Sequence, residues 1–585
     1  MRRLGLLSLL ITLCSTPALA QQVVVEEFVL DNGMKFLLLP RSDQPLNIAA
    51  GWLAQVGSVN ERPGITGISH FFEHMMFKGT NTIGTNDPER DAEFTAQQEA
   101  IKNQIHHKIW TEQYERAKRG EIDDPWDPAN DTPELRALQS ELTTLIDDHK
   151  TVIVKNEFDS IYTKAGGSGM NAFTTNDVTF FFINVPSNKF ELWAWMESDR
   201  LMNSVFREFY SERDVVHEER RLRTESTPTG VFQEQFDAMF WESSPYSWPV
   251  IGWTSDLNSY TMEEAKRYYA LYYQPSNLVG VIVGDFNPAE IKPVIESYFN
   301  RIPAGSKPAP PVVTMEMKQL AEKRMNAECD CTPQVEVRYH TVPFNHKDSF
   351  ALQMMASVLN GRTGRLYKTL IEENSVATSA NASAFQFGGP AKYASFFTFS
   401  GESRGETTPQ QVEQAWYAEL DRLQQDLVPE HELQKVKNQA AADAYRALQS
   451  NFFILLQLGY YEALGGWEYI NDGPRQLSQV TAEDIRRVAN TYFAKENRSV
   501  ATYTRKEGSS SEELDPELAA LEPQARQQVE MMLKRLETQE NPDDLRQALG
   551  MMQQQAEQVP DEFKPALAYI IKKVQQRIEE LEKNN

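Results

Sequence analysis

His70, Glu73 and His74 stand in the run "SHFFEHMMFKGT", an H-x-x-E-H arrangement in a chain with only nine histidines. Two imidazoles four residues apart on a helix lie one turn above each other on the same face. Neutral imidazoles are ligands for Zn²⁺, and a carboxylate between them can take a proton from water. At 3.6 residues per turn, Ile68, Phe71, Phe72, Met75 and Met76 form a buried side, with His70, Glu73, His74 and Phe77 opposite. An ordinary solvated face would carry Lys, Arg or Gln where these histidines stand. A catalytic zinc site takes a third protein ligand and keeps one position open. Acidic candidates crowd "YSERDVVHEERR", where spacing alone does not choose among Glu212, Glu218 and Glu219.

The elements that must position these residues alternate in type. Strand-like runs are "MKFLLLP" (34–40), "NIAAGWLAQVGS" (47–58), "VTFFFINVP" (178–186), "LVGVIVGDF" (278–286), "QVEVRYHTV" (334–342) and "YASFFTFSG" (393–401), with helical periodicity between them. Such a mixture predicts an α+β fold. "RIPAGSKPAPPVV" (301–313) is the linker, and its two sides resemble each other. Thr261/Thr481, Glu263/Glu483, Arg267/Arg487, Tyr272/Tyr492 and Asn277/Asn497 coincide at one offset of 220, each set capping a helix that leads towards a strand. This internal duplication predicts two homologous mixed α/β domains, 24–300 and 314–505. Outside it stand a helical hairpin, 86–157, around "EIDDPWDPANDTP", and an acidic helical C-terminal extension, 514–585. In that extension Phe563, Leu567, Ile570, Ile571, Val574, Ile578 and Leu581 form one apolar stripe, which fits docking or a partner contact.

"MRRLGLLSLLITLCSTPALAQQ" has the charged start, apolar run and small-residue end of a secretory signal peptide, 1–20, so a periplasmic or secreted protein is expected. Beyond residue 20 no apolar run reaches the length of a membrane span, and "NFFILLQLGYY" (451–461) reads as a core helix. Losing Arg2 and Arg3 with the leader takes the formal charge from −25 to about −27, which argues against nucleic acid and anionic membranes as partners. Cys329 and Cys331 then remain, expected as structural or loosely paired thiols.

H-x-x-E-H is the inverzincin signature. "GWLAQVGSVNERPGITGISHFFEHMMFKGT", "GMNAFTTNDVTFFFINVP", "ERDVVHEERR" and "YQPSNLVGVIVGDFNP" together resemble the pitrilysin/insulinase family of zinc metallopeptidases, over residues 24–505. The resemblance implies that His70, His74 and Glu219 hold Zn²⁺, that Glu73 is the general base, and that Glu212 supports the site. It implies that Asn171, Ala172, Phe173 and Thr174 form a sheet edge that binds substrate backbone. It implies half-shells closing on unstructured peptides.

Two departures stand out. His74 and Glu219 are 145 residues apart, about twice the family's interval, so 86–157 reads as an insertion that leaves the site intact. The family's Arg and Tyr, seven apart, which hold the substrate carbonyl, are replaced in "YKTLIEENSVATSA" by Ile371 and Thr378. The expected arrangement is a heterodimer with an Arg/Tyr-bearing subunit, or a homodimer. The alternative is a peptide-binding or scaffolding subunit without turnover. A structural zinc site is disfavoured, because it would take four ligands, mostly cysteine, and no base. His217, beside Glu219, is placed for a supporting hydrogen bond.

Overall fold

The apolar runs of the first half align side by side in the computed structural model. It describes residues 22–385, 391–506, 515–519, 521, 523–537, 539, 541–555 and 564–583; the expected leader, 1–20, lies outside them. Strands β1 (Glu26–Val29), β2 (Lys35–Pro40), β3 (Asn47–Ala54), β4 (Ser168–Thr174), β5 (Thr179–Pro186) and β6 (Leu278–Gly284) form a sheet ordered β1-β2-β6-β3-β5-β4. β2 and β6 run parallel and the other neighbours antiparallel. β7 (Lys323–Cys329), β8 (Gln334–His340), β9 (Ala377–Ser383), β10 (Phe396–Ser403) and β11 (Arg498–Arg505) form the second, ordered β7-β11-β8-β10-β9. Leaving out β1, the two orders match position for position.

Between β3 and β4 come α1 (Ile68–Met75) and the hairpin of α2 (Pro88–Lys108) and α3 (Pro133–His149); between β5 and β6 come α4 (Phe209–Arg220) and α5 (Met262–Tyr272). Helices α6 (Asn451–Leu464) and α7 (Ala482–Tyr492) precede β11. The duplication is visible atom by atom. Thr261 and Thr481 cap α5 and α7 through the amides of Glu264 and Asp484. Asn277 donates to Tyr272 O at 2.8 Å, as Asn497 does to Tyr492 O at 2.7 Å.

One face of the first sheet, with Trp52, Phe181 and Ile282, packs on α1, α4 and α5 through Phe71, Phe72, Val216 and Tyr268. The opposite face is covered by α6, whose Ile454, Leu455 and Leu458 meet Leu53, Phe180 and Val281. The run 451–461 is thus a core helix, seated on the sheet of the other half. The exchange is mutual, because Phe236 of the helix Gly230–Phe240 packs on Ala327, Ala501 and Tyr503 of the second sheet. Strands buried on both faces read as continuous apolar runs, which is why β3, β5 and β6 stand out in the sequence.

Cys329 ends β7, and it is joined to Cys331 in a disulfide with the Cα atoms 5.2 Å apart. The two cysteines, expected as structural or loosely paired thiols, are paired, because the turn between β7 and β8 holds the two backbones within bonding reach.

The hairpin has a small core of Ile101, Ile105, Ile109, Leu135 and Leu142. Asp87 caps α2 through Arg90 N, and Thr132 caps α3 through Leu135 N. The chain divides at Thr504/Arg505 into two compact units. The second holds α8 (Pro523–Glu537), α9 (Pro542–Gln555) and α10 (Lys564–Lys583). Ile570, Val574 and Ile578 of the expected stripe are buried there with Val529 and Leu545, and Phe563 lies outside the described residues. Among the described residues no helix is long and apolar enough to cross a membrane.

Candidate metal centre

Helix α1 begins at Gly67, in the left-handed conformation at φ 86°, where an added Cβ would lie 2.4 Å from Ile251 O. Only glycine accepts both constraints. Glu61, buried below it, accepts hydrogen bonds from Gly67 N (2.7 Å) and Ser69 N (2.8 Å), and so satisfies two amides at the helix start. The Ser69 hydroxyl meets Tyr268 OH of α5 at 2.7 Å. Ile68, Phe71, Phe72, Met75 and Met76 are all buried, as the periodicity predicts. This anchors the helix on three sides and turns the histidine side towards α4.

Helix α4 faces it with Glu212 and Glu219, two turns apart. His74 Nδ1 lies 3.0 Å from Glu212 Oε1, and His74 Nε2 lies 3.2 Å from Glu219 Oε2. His70 Nε2 lies 3.6 Å from the same Glu219 oxygen. The ligand atoms of His70, His74 and Glu219 all fall within 4.8 Å of one another. Glu219 Oε2 is buried without a hydrogen-bond partner. A tetrahedral cation with arms of about 2.1 Å spaces its ligand atoms about 3.4 Å apart. The two imidazole-to-carboxylate separations, 3.2 and 3.6 Å, and the orphaned oxygen fit such an ion. Of the three acids that spacing left open, the packing of α4 selects Glu219 for this group; Glu218 instead pairs with Arg221.

The electrostatics suit a cation. Burial pushes His70 down to about 4, assisted by neighbouring His74, so its imidazole is neutral and able to ligate. Burial also opposes charge on His74, but Glu212 and Glu219 outweigh it and draw the group up to about 9. Burial raises Glu73, against a hydrogen bond from Thr174. In Glu212 and Glu219 the burial penalty is overcome by His74 and by a basic neighbour each, Lys78 and Arg223, and both sit below the usual carboxylate range. Glu73, Glu212 and Glu219 thus surround the two imidazoles, with Lys78 paired to Glu212 and Arg223 to Glu219.

Strand β4 is an outer strand of the first sheet, and Thr174 at its end donates to Glu73 Oε2 at 2.6 Å. Asn171 lines a cavity of about 480 Å³ beside Glu73 and His74. Ala172 is buried in the core under α1, and Phe173 packs on Phe180 and Phe182, so neither side chain faces the cavity. His217 turns to Arg213, Asp214 and Asn258 rather than to the ligand group. Ile371 packs against the second core, and the Thr378 hydroxyl points to Glu402. Neither position offers a cation.

The hairpin enters the site's surroundings. Ile153, Val154 and Lys155, on its return, line the same cavity. Asp91 of α2 accepts from Arg207 Nε and Nη2, both at 2.8 Å, and from His149 Nε2 at 2.7 Å. Arg207, almost fully buried just before α4, also donates to Lys78 O, Thr80 O and Ile83 O. One guanidinium therefore ties the hairpin, the loop after α1 and the start of α4 together. Sequence reasoning missed this knot, and also Lys78, which pairs with Glu212 at 2.5 Å. It missed Arg223, whose pairing with Glu219 the i,i+4 rule could have suggested.

With this geometry in hand, the relatives are informative. Residues 41–102 match the family model described as Insulinase (Peptidase family M16), and 259–440 match Peptidase M16 inactive domain. The zinc protease PqqE of Helicobacter pylori is 25% identical over 512 residues, covering 86% of this chain and 98% of that protein. The uncharacterized zinc protease YmxG of Bacillus subtilis is 21% identical over 479 residues, covering 81% and 97%. A crystal structure of a protease from Helicobacter pylori superposes with a TM-score of 0.67 at 23% identity, over 82% of this chain and 99% of the other. Pitrilysin gives 0.58 at 14% identity, over 82% of this chain but 45% of its own. By its sequence matches the chain is similar to the pitrilysin/insulinase family, and its duplicated sheets share that family's fold.

Proposed function

We propose that this chain is a zinc metalloendopeptidase acting on unstructured peptides outside the cytoplasm. The observation that carries the reading is the convergence of His70 Nε2, His74 Nε2 and an orphaned Glu219 Oε2, with Glu73 next to them. Zinc bound by those three groups would supply Lewis acidity, polarising an amide carbonyl and making water acidic near neutral pH. Glu73 takes a proton from the attacking water as its oxygen bonds to the carbonyl carbon. It returns that proton to the amine nitrogen as the C–N bond breaks. Thr174 holds one Glu73 oxygen and leaves the other for this transfer. Glu212 orients His74 through Nδ1, as carboxylates behind metal-bound imidazoles do. An extended peptide adds to β4 through backbone hydrogen bonds, which select for unfolded chains rather than for a sequence.

The test pairs metal analysis with hydrolysis of an unstructured peptide mixture by the wild-type chain and Glu73→Gln. Equal zinc in both, with cleavage by wild type alone, is expected. Cleavage that survives Glu73→Gln would end the reading.

Ile371 and Thr378 favour a second arrangement, in which this chain is the zinc-bearing member of a two-chain enzyme and a partner brings the carbonyl-holding pair. Cleavage that appears only on mixing with an Arg/Tyr-bearing subunit supports it. Zinc binding without cleavage under either condition supports a peptide-binding subunit.

A further inference from the structure

We propose that Arg223 is this chain's own cation for the scissile carbonyl oxygen, in place of the pair missing at Ile371 and Thr378. The inference rests on the peptidase reading and makes a second chain unnecessary for turnover. Arg223 lies one turn beyond Glu219, where α4 runs on into a wider π-helical turn, Arg221–Glu225. Such turns cluster at functional sites. Its Nη1 lies 2.5 Å from Glu219 Oε1, while the other oxygen of that carboxylate faces His70 and His74. One guanidinium nitrogen is therefore attached to the ligand group from outside.

The remaining nitrogens are open to solvent, since the Arg223 side chain is 70% exposed although it touches a carboxylate that is only 15% exposed. The neighbouring arginines are committed elsewhere. Arg220 is buried against Glu234, and Arg221 pairs with Glu218. Among the described residues Arg223 pairs with no carboxylate other than Glu219.

The chemistry gains from such a group beside the Lewis acidity that zinc would supply. As water adds to an amide, negative charge gathers on the carbonyl oxygen, next to Glu73, Glu212 and Glu219. Lys78 is taken by Glu208 and Glu212. Arg223 presents N–H donors at the rim of the ligand group, and a charge-assisted donor to an oxyanion strengthens as the charge develops.

The experiment uses the zinc-loaded full chain, with Arg223→Ala, Arg223→Lys and, as a control, Arg221→Ala. Four quantities are measured: zinc affinity by chelator competition, kcat and KM on an unstructured fluorogenic peptide, and affinity for a phosphinic peptide carrying the charge of the tetrahedral intermediate. Arg223→Ala is expected to lower kcat and phosphinic-peptide affinity about 100-fold, the loss typical of one oxyanion donor. KM should stay within about threefold, with zinc bound as tightly or tighter because a cation has left the ligand group. Arg223→Lys recovers part of the loss, and Arg221→Ala matches wild type.

Zinc affinity falling in proportion to kcat would overturn the proposal, leaving Arg223 as a support for Glu219. So would Arg223→Ala matching wild type in both kcat and phosphinic-peptide affinity. A wild-type chain that cleaves only with an Arg/Tyr-bearing subunit added would overturn the proposal, since Arg223 would then not replace the missing pair. If nothing is cleaved even then, or Glu73→Gln cleaves equally, the peptidase reading fails separately. The phosphinic titration then decides on Arg223 by itself.

Discussion

Thr174 Oγ1 and Glu73 Oε2 are 2.6 Å apart, although 101 residues separate them in the chain. Through this bond the outer strand of the first sheet is fastened to the carboxylate between the two histidines. A peptide added to β4 would therefore arrive at a fixed distance from Glu73, the proposed general base. Thr174→Val should lower kcat about tenfold, part of a general base's contribution, with zinc content unchanged. Thr174→Ser, which keeps the hydroxyl, should restore most of it. Steady-state kinetics with parallel metal analysis checks both.

The two acids of α4 should separate in metal affinity. Glu219→Ala removes an oxygen from the ligand group and is expected to abolish stoichiometric zinc binding. Glu212→Gln leaves the three ligands but weakens the hydrogen bond that orients His74, at a cost of about 10–100-fold in affinity. Competition with a zinc-sensitive dye reads both, and an equal effect of the two substitutions would contradict the assignment of Glu219.

The Asp91–Arg207 pair should behave as a buried charge pair does. Asp91→Ala leaves the Arg207 guanidinium buried without its counter-charge, at a cost of about 3–5 kcal/mol. Denaturant titration gives the loss, and hydrogen exchange should show the loop 78–84 opening with it. That loop is held by three carbonyl bonds to the same guanidinium.

Acid should weaken the join between the two halves at His340. Its ring stacks 3.8 Å from Phe240 of the other half, and burial brings its pKa from 6.5 down to about 4. Between those values the unfolded chain takes up a proton that the folded chain refuses, so stability is present above pH 6.5 and falls as pH drops towards 4. The loss amounts to about 3 kcal/mol at the acid end. His340→Phe keeps an aromatic ring without the titration, so its denaturation midpoint should change less between pH 7 and pH 4.5 than that of wild type.

Much of the site is written locally. The spacing of His70, Glu73 and His74, and the apolar side Ile68-Phe71-Phe72-Met75-Met76, are properties of one helix and need nothing beyond its 3.6-residue turn. The offset of 220 between Thr261 and Thr481 likewise determined, from sequence alone, that one α+β unit occurs twice. Strands β1, β4, β7 and β9 carry weaker patterns because they lie at the sheet edges, half-buried or exposed, and no long apolar run marks them. The third ligand was different. Glu212, Glu218 and Glu219 are equivalent as letters, and only the packing of α4 across α1 turns Glu219 to the histidines and leaves Glu218 with Arg221. The tertiary structure also decided that α6 covers the first sheet, that Arg207 joins the hairpin to the loop after α1, and that Arg223 stands at the ligand group. Periodicity records which side of an element is apolar, and a charge records only that it needs a partner. Which partner meets it is set by contacts between residues far apart in the chain.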